Sequence, residues 1–342
     1  MLIFNNMEKE NTFADYQLPP LDLLDEYIPE GGVPEEKIAN GRRAVVLLRS
    51  VLGDDAFRNC EAELPVAIGR TFGNKVKVFD LAEASNLLIA GATKQGKTVA
   101  INAIVASLLY SKHPSELKFV FIDPKGFEYS SYRRIKDSYL AMVPGGEPVV
   151  KTPNQAEKVL TSLCREMEHR CELLRNTGST NIRTYNSSAS EPLPYIVAII
   201  DEYADLAIPA RRDKVSRNMS HNITESIISL AQKGSAVGIH IILATQRPSK
   251  KVITDSLKAT FPIRIAVRTM TRTDSRVILD SPGAENLAGG GDMIFKVGTE
   301  TERIQGSYIS PEEINHLTSY VESNAASCTP YYLPAPDPDQ EA

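Results

Sequence analysis

The chain has 342 residues, 42% of them hydrophobic, with 38 Lys and Arg against 43 Asp and Glu for a net charge of −5. That length and composition suit one large domain or two with a substantial core. The acidic balance excludes a protein that binds nucleic acid over its whole exterior, so any DNA contact must be a local positive surface such as a pore lining.

Residues 1–17 are polar and mixed in charge, read as disordered, and lack signal-peptide character. No apolar run reaches the ~18–20 residues of a membrane span, and the expected compartment is the cytoplasm. Leu18–Leu24 is a short apolar anchor, followed by a Gly/Pro-rich link through Pro34. Pro34-Glu35-Glu36-Lys37 has helix-start chemistry. An amphipathic helix is expected through Arg42–Leu48 and a second over Asp54–Arg58. Pro65–Gly69 and Lys75–Asp80 flank Phe72-Gly73-Asn74 as a β-hairpin.

From there, apolar strands alternate with helices. The strands are Asn86–Ala90, Lys118–Asp123, Tyr195–Ile200, Ile239–Ala244, Pro262–Val267 and Asp292–Phe295. Helices are expected over Val99–Val105, Gln155–Asn176 and Ile223–Lys233. Near-continuous apolar strands between helices predict an α/β fold with a mostly parallel central sheet covered on both faces. The Pro- and Asp-rich tail from Pro330 reads as disordered. Cys60, Cys164, Cys171 and Cys328 form no C-x-x-C pair, and reduced structural thiols are the reading.

Gly91-Ala92-Thr93-Lys94-Gln95-Gly96-Lys97-Thr98 fits G-x-x-x-x-G-K-[ST] between a strand and a helix. The glycines let the backbone N–H groups face inward, and the helix start adds partial positive charge, which together make a phosphate cradle. Gly91 through Val99 are therefore the expected ATP-binding residues. Lys97 would sit on the β- and γ-phosphates and the Thr98 hydroxyl on Mg²⁺. Strand Tyr195–Ile200 closes in Asp201-Glu202, which puts carboxylates at the strand ends where α/β sheets hold ligands. Asp201 would hold Mg²⁺, directly or through water, and Glu202 would polarise the attacking water. Gln246, ending the next strand, would sense the γ-phosphate or its water.

These residues resemble the FtsK/SpoIIIE family of double-stranded DNA translocases. The matching text is NLLIAGATKQGKT (86–98), FIDPKGFEY (121–129), EMEHR (166–170), PYIVAIIDEYADL (194–206), LAQK (230–233), GIHIILATQRPS (238–249) and DSRVILDSPGAENLAGGGD (274–292). The resemblance implies a RecA-like P-loop ATPase subunit of a homo-hexameric ring that threads duplex DNA. It covers about residues 65–315, and the change of texture at Pro65 divides the chain into a short N-terminal leader (18–64) and a motor domain (65–329). On the DNA side, Arg247 and Arg276 match pore-facing basic positions, with Lys258 and Arg272 in neighbouring ones. Such a set suits a motor that grips any sequence, because phosphate contacts carry affinity without base information. Arg276 has an alternative reading as an ion pair with Asp280.

Three departures stand out. Ser235 occupies the place where the family usually has an arginine that reaches toward a neighbour's ATP. Either Arg264 or Arg268 takes that part, or hydrolysis is slow. The stretch Asp25–Leu64 is too short for the separate ring domain that the family carries there. A membrane-spanning N-terminus and a C-terminal winged helix have no room, as in a trimmed chain or a compact relative from a mobile element. Ala207–Asn222, with Arg211, Arg212, Lys214 and Arg217, reads as a loop facing DNA, a subunit contact or a plain solvated loop. The reading from outside the motor class is an assembly or regulatory module that binds ATP and moves nothing.

Overall fold

The computed structural model describes residues 16–26, 45–325 and 328–336. In chain order the strands are β1 (Val46–Leu47), β2 (Pro65–Thr71), β3 (Val76–Asp80), β4 (Leu87–Ala90), β5 (Leu117–Ile122), β6 (Ala141–Met142), β7 (Val149–Val150), β8 (Tyr195–Ile200), β9 (Ile239–Thr245), β10 (Ile263–Val267), β11 (Asp292–Val297), β12 (Glu300–Tyr308) and β13 (Tyr331–Tyr332). The helices are α1 (Leu48–Leu52), α2 (Asp55–Arg58), α3 (Leu81–Ala84), α4 (Lys97–Ser111), α5 (Pro153–Thr177), α6 (Ile182–Asn186), α7 (Tyr203–Ala207), α8 (Lys214–Lys233), α9 (Asp255–Ala259), α10 (Arg272–Leu279) and α11 (Pro311–Asn324).

The main sheet runs β3-β2-β12-β11-β10-β4-β9-β8-β5-β7, with β1 also paired to β12. From β10 to β7 every neighbour is parallel. The hairpin β2–β3 and the strands β11 and β12 extend it as an antiparallel wing. The expected parallel sheet is therefore the half that carries the nucleotide motifs.

Side chains alternate across each strand, and the two faces build two cores. Leu87, Ile89, Phe119, Phe121, Val197 and Ile199 pack with α4 and α11 on one face. Leu88, Ala90, Val120, Ile122, Ala198 and Ile200 pack with α5, α8 and α10 on the other. Helix α4 is buried along most of its length, from Ala100 to Leu109, which is why its sequence is apolar all round. Tyr16, Leu24, Leu48, Val51 and Phe57 join the first core, so the leader and the strands share one interior.

Several expected elements differ from the structure. The helix expected through Arg42–Leu48 begins only at Leu48; Val46 and Leu47 pair in parallel with Ser307 and Tyr308 instead. Valine favours that extended edge position, where its branched side chain packs on the pleat. Residues 27–44, with the Pro34 helix start, lie outside the described residues, as do residues 1–15 and 337–342. The segment expected as a loop to Asn222 turns helical at Lys214, because the Asp213 carboxylate accepts the Ser216 N–H as an N-cap.

The tail is ordered from Pro330 to Pro336 where disorder was expected. Tyr331 and Tyr332 pair with Ala141 and Met142, and Leu333 is buried. The tail is held by side chains distant in sequence. Arg170, fully buried, donates to Glu166 Oε1 at 2.7 Å, to the Pro194 and Val237 carbonyls at 2.8 and 3.1 Å, and to the Tyr331 hydroxyl at 3.1 Å. The Tyr331 hydroxyl in turn donates to Glu166 at 2.9 Å.

Candidate functional site

The register of three adjacent strands assembles the site. Ala90 of β4 lies opposite Thr245 of β9, and Ile200 of β8 lies opposite Leu243. The residues that follow β4 and β8, and the end of β9, therefore meet on one row at the carboxyl edge of the sheet. They are the loop 91–96, Asp201-Glu202 and Thr245-Gln246. Ligands in open α/β sheets collect at that edge.

The loop's shape depends on its glycines. Gly96 has φ of 101°, and a Cβ there would stand 3.1 Å from the Gly291 nitrogen. A Cβ on Gly91 would overlap Val267, at 2.4 Å from its Cγ2. Ala92 N–H donates to the Arg268 carbonyl at 2.8 Å, anchoring the loop's entrance. The N–H groups from Thr93 to Thr98 donate to no protein acceptor among the described residues. Left so, they are donors that can meet an anion at the start of α4.

Lys97 is buried, and its amine lies 2.7 Å from Asp201 Oδ1 and 3.9 Å from Glu202 Oε2. Asp201 is fully buried, yet its Oδ2 has no hydrogen-bond partner. An orphaned carboxylate oxygen of that kind fits a cation ligand, and Thr98 follows Lys97 on the first turn of α4.

Glu202 is 2% exposed and sits at φ 45°, ψ 54°, a left-handed conformation that costs a non-glycine residue roughly 1–3 kcal/mol. Its Oε1 accepts from the Thr245 hydroxyl at 3.1 Å and the Gln246 N–H at 3.2 Å. Its Oε2 accepts from Lys125 at 3.3 Å. The Gln246 side-chain oxygen accepts from the Thr93 hydroxyl at 2.9 Å, joining the end of β9 to the phosphate loop. The structure thus brings together Lys97, Thr98, Asp201, Glu202 and Gln246. Lys125 and Thr245 escaped the sequence reading. The Asp-Pro-Lys-Gly turn at the end of β5 was the available signal for the lysine.

The basic residues divide. Arg247 follows β9 at the same edge, with its side chain 63% exposed and 3.5 Å from Asp205. Arg272 and Arg276 are exposed on α10, which starts just beyond the carboxyl end of β10. Lys258 is elsewhere, at the opposite end of β10, where its side chain is 15% exposed and its amine lies 2.6 Å from Asp280. Arg264 and Lys296 bind the same carboxylate. Burial raises the Asp280 pKa, but hydrogen bonds from Lys258 and Arg264 outweigh it and hold the group at about 2. The ion-pair reading offered for Arg276 thus describes Lys258 instead. Arg264 is spent in that cluster, whereas Arg268 is exposed beside the phosphate loop. Ser235 lies on the one-turn helix Gly234–Val237 that leads into β9.

The FtsK/SpoIIIE family profile matches residues 47–250. The "DNA translocase FtsK" of Chlorobaculum tepidum is 45% identical over 296 residues, covering 85% of this chain and 36% of the relative. That of Streptococcus pneumoniae is 38% identical over 301 residues, 84% of this chain and 37% of the relative. The chain thus spans little more than a third of the length of these relatives.

Among solved structures, the pCW3 conjugation coupling protein TcpA with ATPγS superposes with a TM-score of 0.71 and 28% identity, over 83% of this chain and 75% of that one. The cytoplasmic domain of the type VII secretion ATPase EccC from Thermomonospora curvata gives 0.69 and 22% identity, over 86% and 36%, a likeness of fold alone. Among the described residues no helix is long and apolar enough to cross a membrane.

Proposed function

This chain belongs to the FtsK/SpoIIIE family, and on that premise we propose that it is an ATP-hydrolysing subunit of a translocase that drives double-stranded DNA through a ring of its own copies. The observation that carries the proposal is the convergence of the phosphate loop with the buried pair Asp201-Glu202. Lys97, 2.7 Å from Asp201, stands between the two. The relatives named as DNA translocases and the coupling protein holding ATPγS support the same reading.

In this reading the loop N–H groups and Lys97 bind the β- and γ-phosphates, with Lys97 exchanging Asp201 for phosphate oxygens. Thr98 and Asp201 would hold Mg²⁺, which supplies charge neutralisation to the phosphates. Glu202 is fixed through Oε1 by Thr245 and the Gln246 N–H, and it takes the proton of a water. The water oxygen forms a bond to the γ-phosphorus. The bond from that phosphorus to the bridging oxygen breaks, and its electron pair leaves on ADP. Gln246, tied to Thr93, reports the state of the γ-phosphate to Arg247, one residue on. Arg247, Arg272 and Arg276 contact the DNA backbone from the same edge. Lys258 stays in its ion pairs. The ring is a homo-hexamer and works in the cytoplasm.

A second reading has an observation behind it: the position of the family's arginine holds Ser235, and Arg264 is engaged with Asp280. A nucleotide-dependent assembly or regulatory module would show that pattern. ATP hydrolysis measured with and without duplex DNA separates the two. Several-fold stimulation by DNA supports the motor, and turnover indifferent to DNA supports the module.

A further inference from the structure

From the surroundings of Glu202 we infer that Lys125 is the positioning residue for this carboxylate, a cation supplied from within the same chain that keeps the base aimed at the γ-phosphate side of the site. The inference rests on the reading of Glu202 as the water-activating group.

The geometry is built from the turn that follows β5. Asp123 is fully buried and shapes that turn, accepting the Lys125 N–H on Oδ1 at 3.1 Å and the Glu128 N–H on Oδ2 at 3.0 Å. Gly126, at φ 74°, closes the turn against the methylene stem of Lys151. The backbone of Lys125 is thereby fixed, and its side chain crosses from β5 to the end of the neighbouring β8. There its amine meets Glu202 Oε2 at 3.3 Å.

The two oxygens of Glu202 have different partners. Oε1 is held by neutral donors, Thr245 and the Gln246 N–H. Oε2 faces two cations, Lys125 at 3.3 Å and Lys97 at 3.9 Å. Lys97 is the loop lysine whose charge the phosphates recruit. Once it turns to them, Lys125 is the cation left on Oε2 of a 2%-exposed carboxylate held in left-handed backbone. A buried carboxylate oxygen that loses its donor turns to find another partner. That turn takes the base off its aim. The Lys125 side chain is 35% exposed, so it can follow the carboxylate through a cycle.

The test uses the full chain and compares Lys125→Met, Lys125→Arg and Glu202→Gln with the unaltered protein. ATP turnover is measured alongside the affinity of a fluorescent ATP analogue. Turnover by the unaltered protein, and its loss in Glu202→Gln with analogue binding retained, checks the underlying reading separately. The inference predicts that Lys125→Met lowers kcat by about 10–100-fold, the scale of a misplaced base. Analogue affinity and melting temperature should stay near the parent values. Lys125→Arg should recover most of kcat, and adding Lys125→Met to Glu202→Gln should cost nothing further in single-turnover phosphate release. Should Lys125→Met fail to fold, Lys125→Gln carries the same comparison. A fall in analogue affinity that matches the fall in kcat/KM would overturn the inference, as would additive losses in the double variant or unchanged kcat.

Discussion

Replacing Arg170 by Met is the most demanding test of the packing described above. The guanidinium is fully buried and makes four hydrogen bonds, to Glu166, Pro194, Val237 and Tyr331. Methionine matches the stem and removes all four. Glu166, 6% exposed, then keeps the Tyr331 hydroxyl but loses its buried counter-charge. Breaking a buried pair by removing one partner costs roughly 3–5 kcal/mol. Taking roughly 4 kcal/mol, at about 1.4 °C per kcal/mol for a chain of 342 residues, the melting temperature should fall by about 5–6 °C. The assay is thermal unfolding followed by circular dichroism, with Glu166→Met in the same series. The double variant no longer buries an unpaired charge, so it should recover about half of the loss, while the Pro194 and Val237 carbonyls stay unpaired. A fall of less than about 2 °C for Arg170→Met, or strictly additive losses in the double variant, would refute this reasoning.

Other expectations concern the site and its edge. Lys97→Ala should abolish ATP binding or turnover, whereas Glu202→Gln should retain analogue binding and lower turnover by about 10²–10⁴-fold; normal turnover by the Gln variant removes Glu202 from the role of base. Arg247→Ala should weaken binding of duplex DNA alike on all sequences and flatten the salt dependence by about one unit; a loss confined to one sequence contradicts a backbone contact. His240 is fully buried, and desolvation lowers its pKa to about 4 despite the Ser85 carbonyl that its ring faces. Its folded pKa lies below the unfolded value of about 6.5, so the unfolded chain binds more protons between those values and stability falls as pH drops from 6.5 toward 4. This group alone should contribute about 3 kcal/mol of that loss, and His240→Asn should flatten the profile in urea titrations; an unaltered slope counts against the assignment.

Much of this architecture is legible in the sequence because its signals are local. The strands β4, β5, β8 and β9 announce themselves as apolar runs, since both faces of a parallel sheet are buried. The hairpin β2–β3 announces itself through Phe72-Gly73-Asn74. The phosphate loop and Asp201-Glu202 are likewise readable, because spacing around a strand end is a one-dimensional property. What the sequence conceals depends on partners distant along the chain. Lys258 looks like a free basic residue until Asp280, Arg264 and Lys296 surround it. Tyr331 looks like part of a Pro-rich tail until Arg170 and Glu166 clasp its hydroxyl. Lys125 sits in a quoted motif, but nothing local shows that its amine reaches Glu202, 77 residues away. Strand β12 hides for another reason: Glu300–Tyr308 alternates polar and charged residues on a half-covered wing, so its apolar signal is weak.

The account stands or falls on whether hydrolysis at this site moves DNA. The direct measurement is displacement of a third strand from a duplex carrying a triplex block, followed in time with purified protein and ATP. The account predicts release that requires ATP hydrolysis, disappears in Lys97→Ala and Glu202→Gln, and is delayed in proportion to the length of duplex before the block. A protein that hydrolyses ATP at full rate on the same duplex and leaves the third strand in place would contradict it.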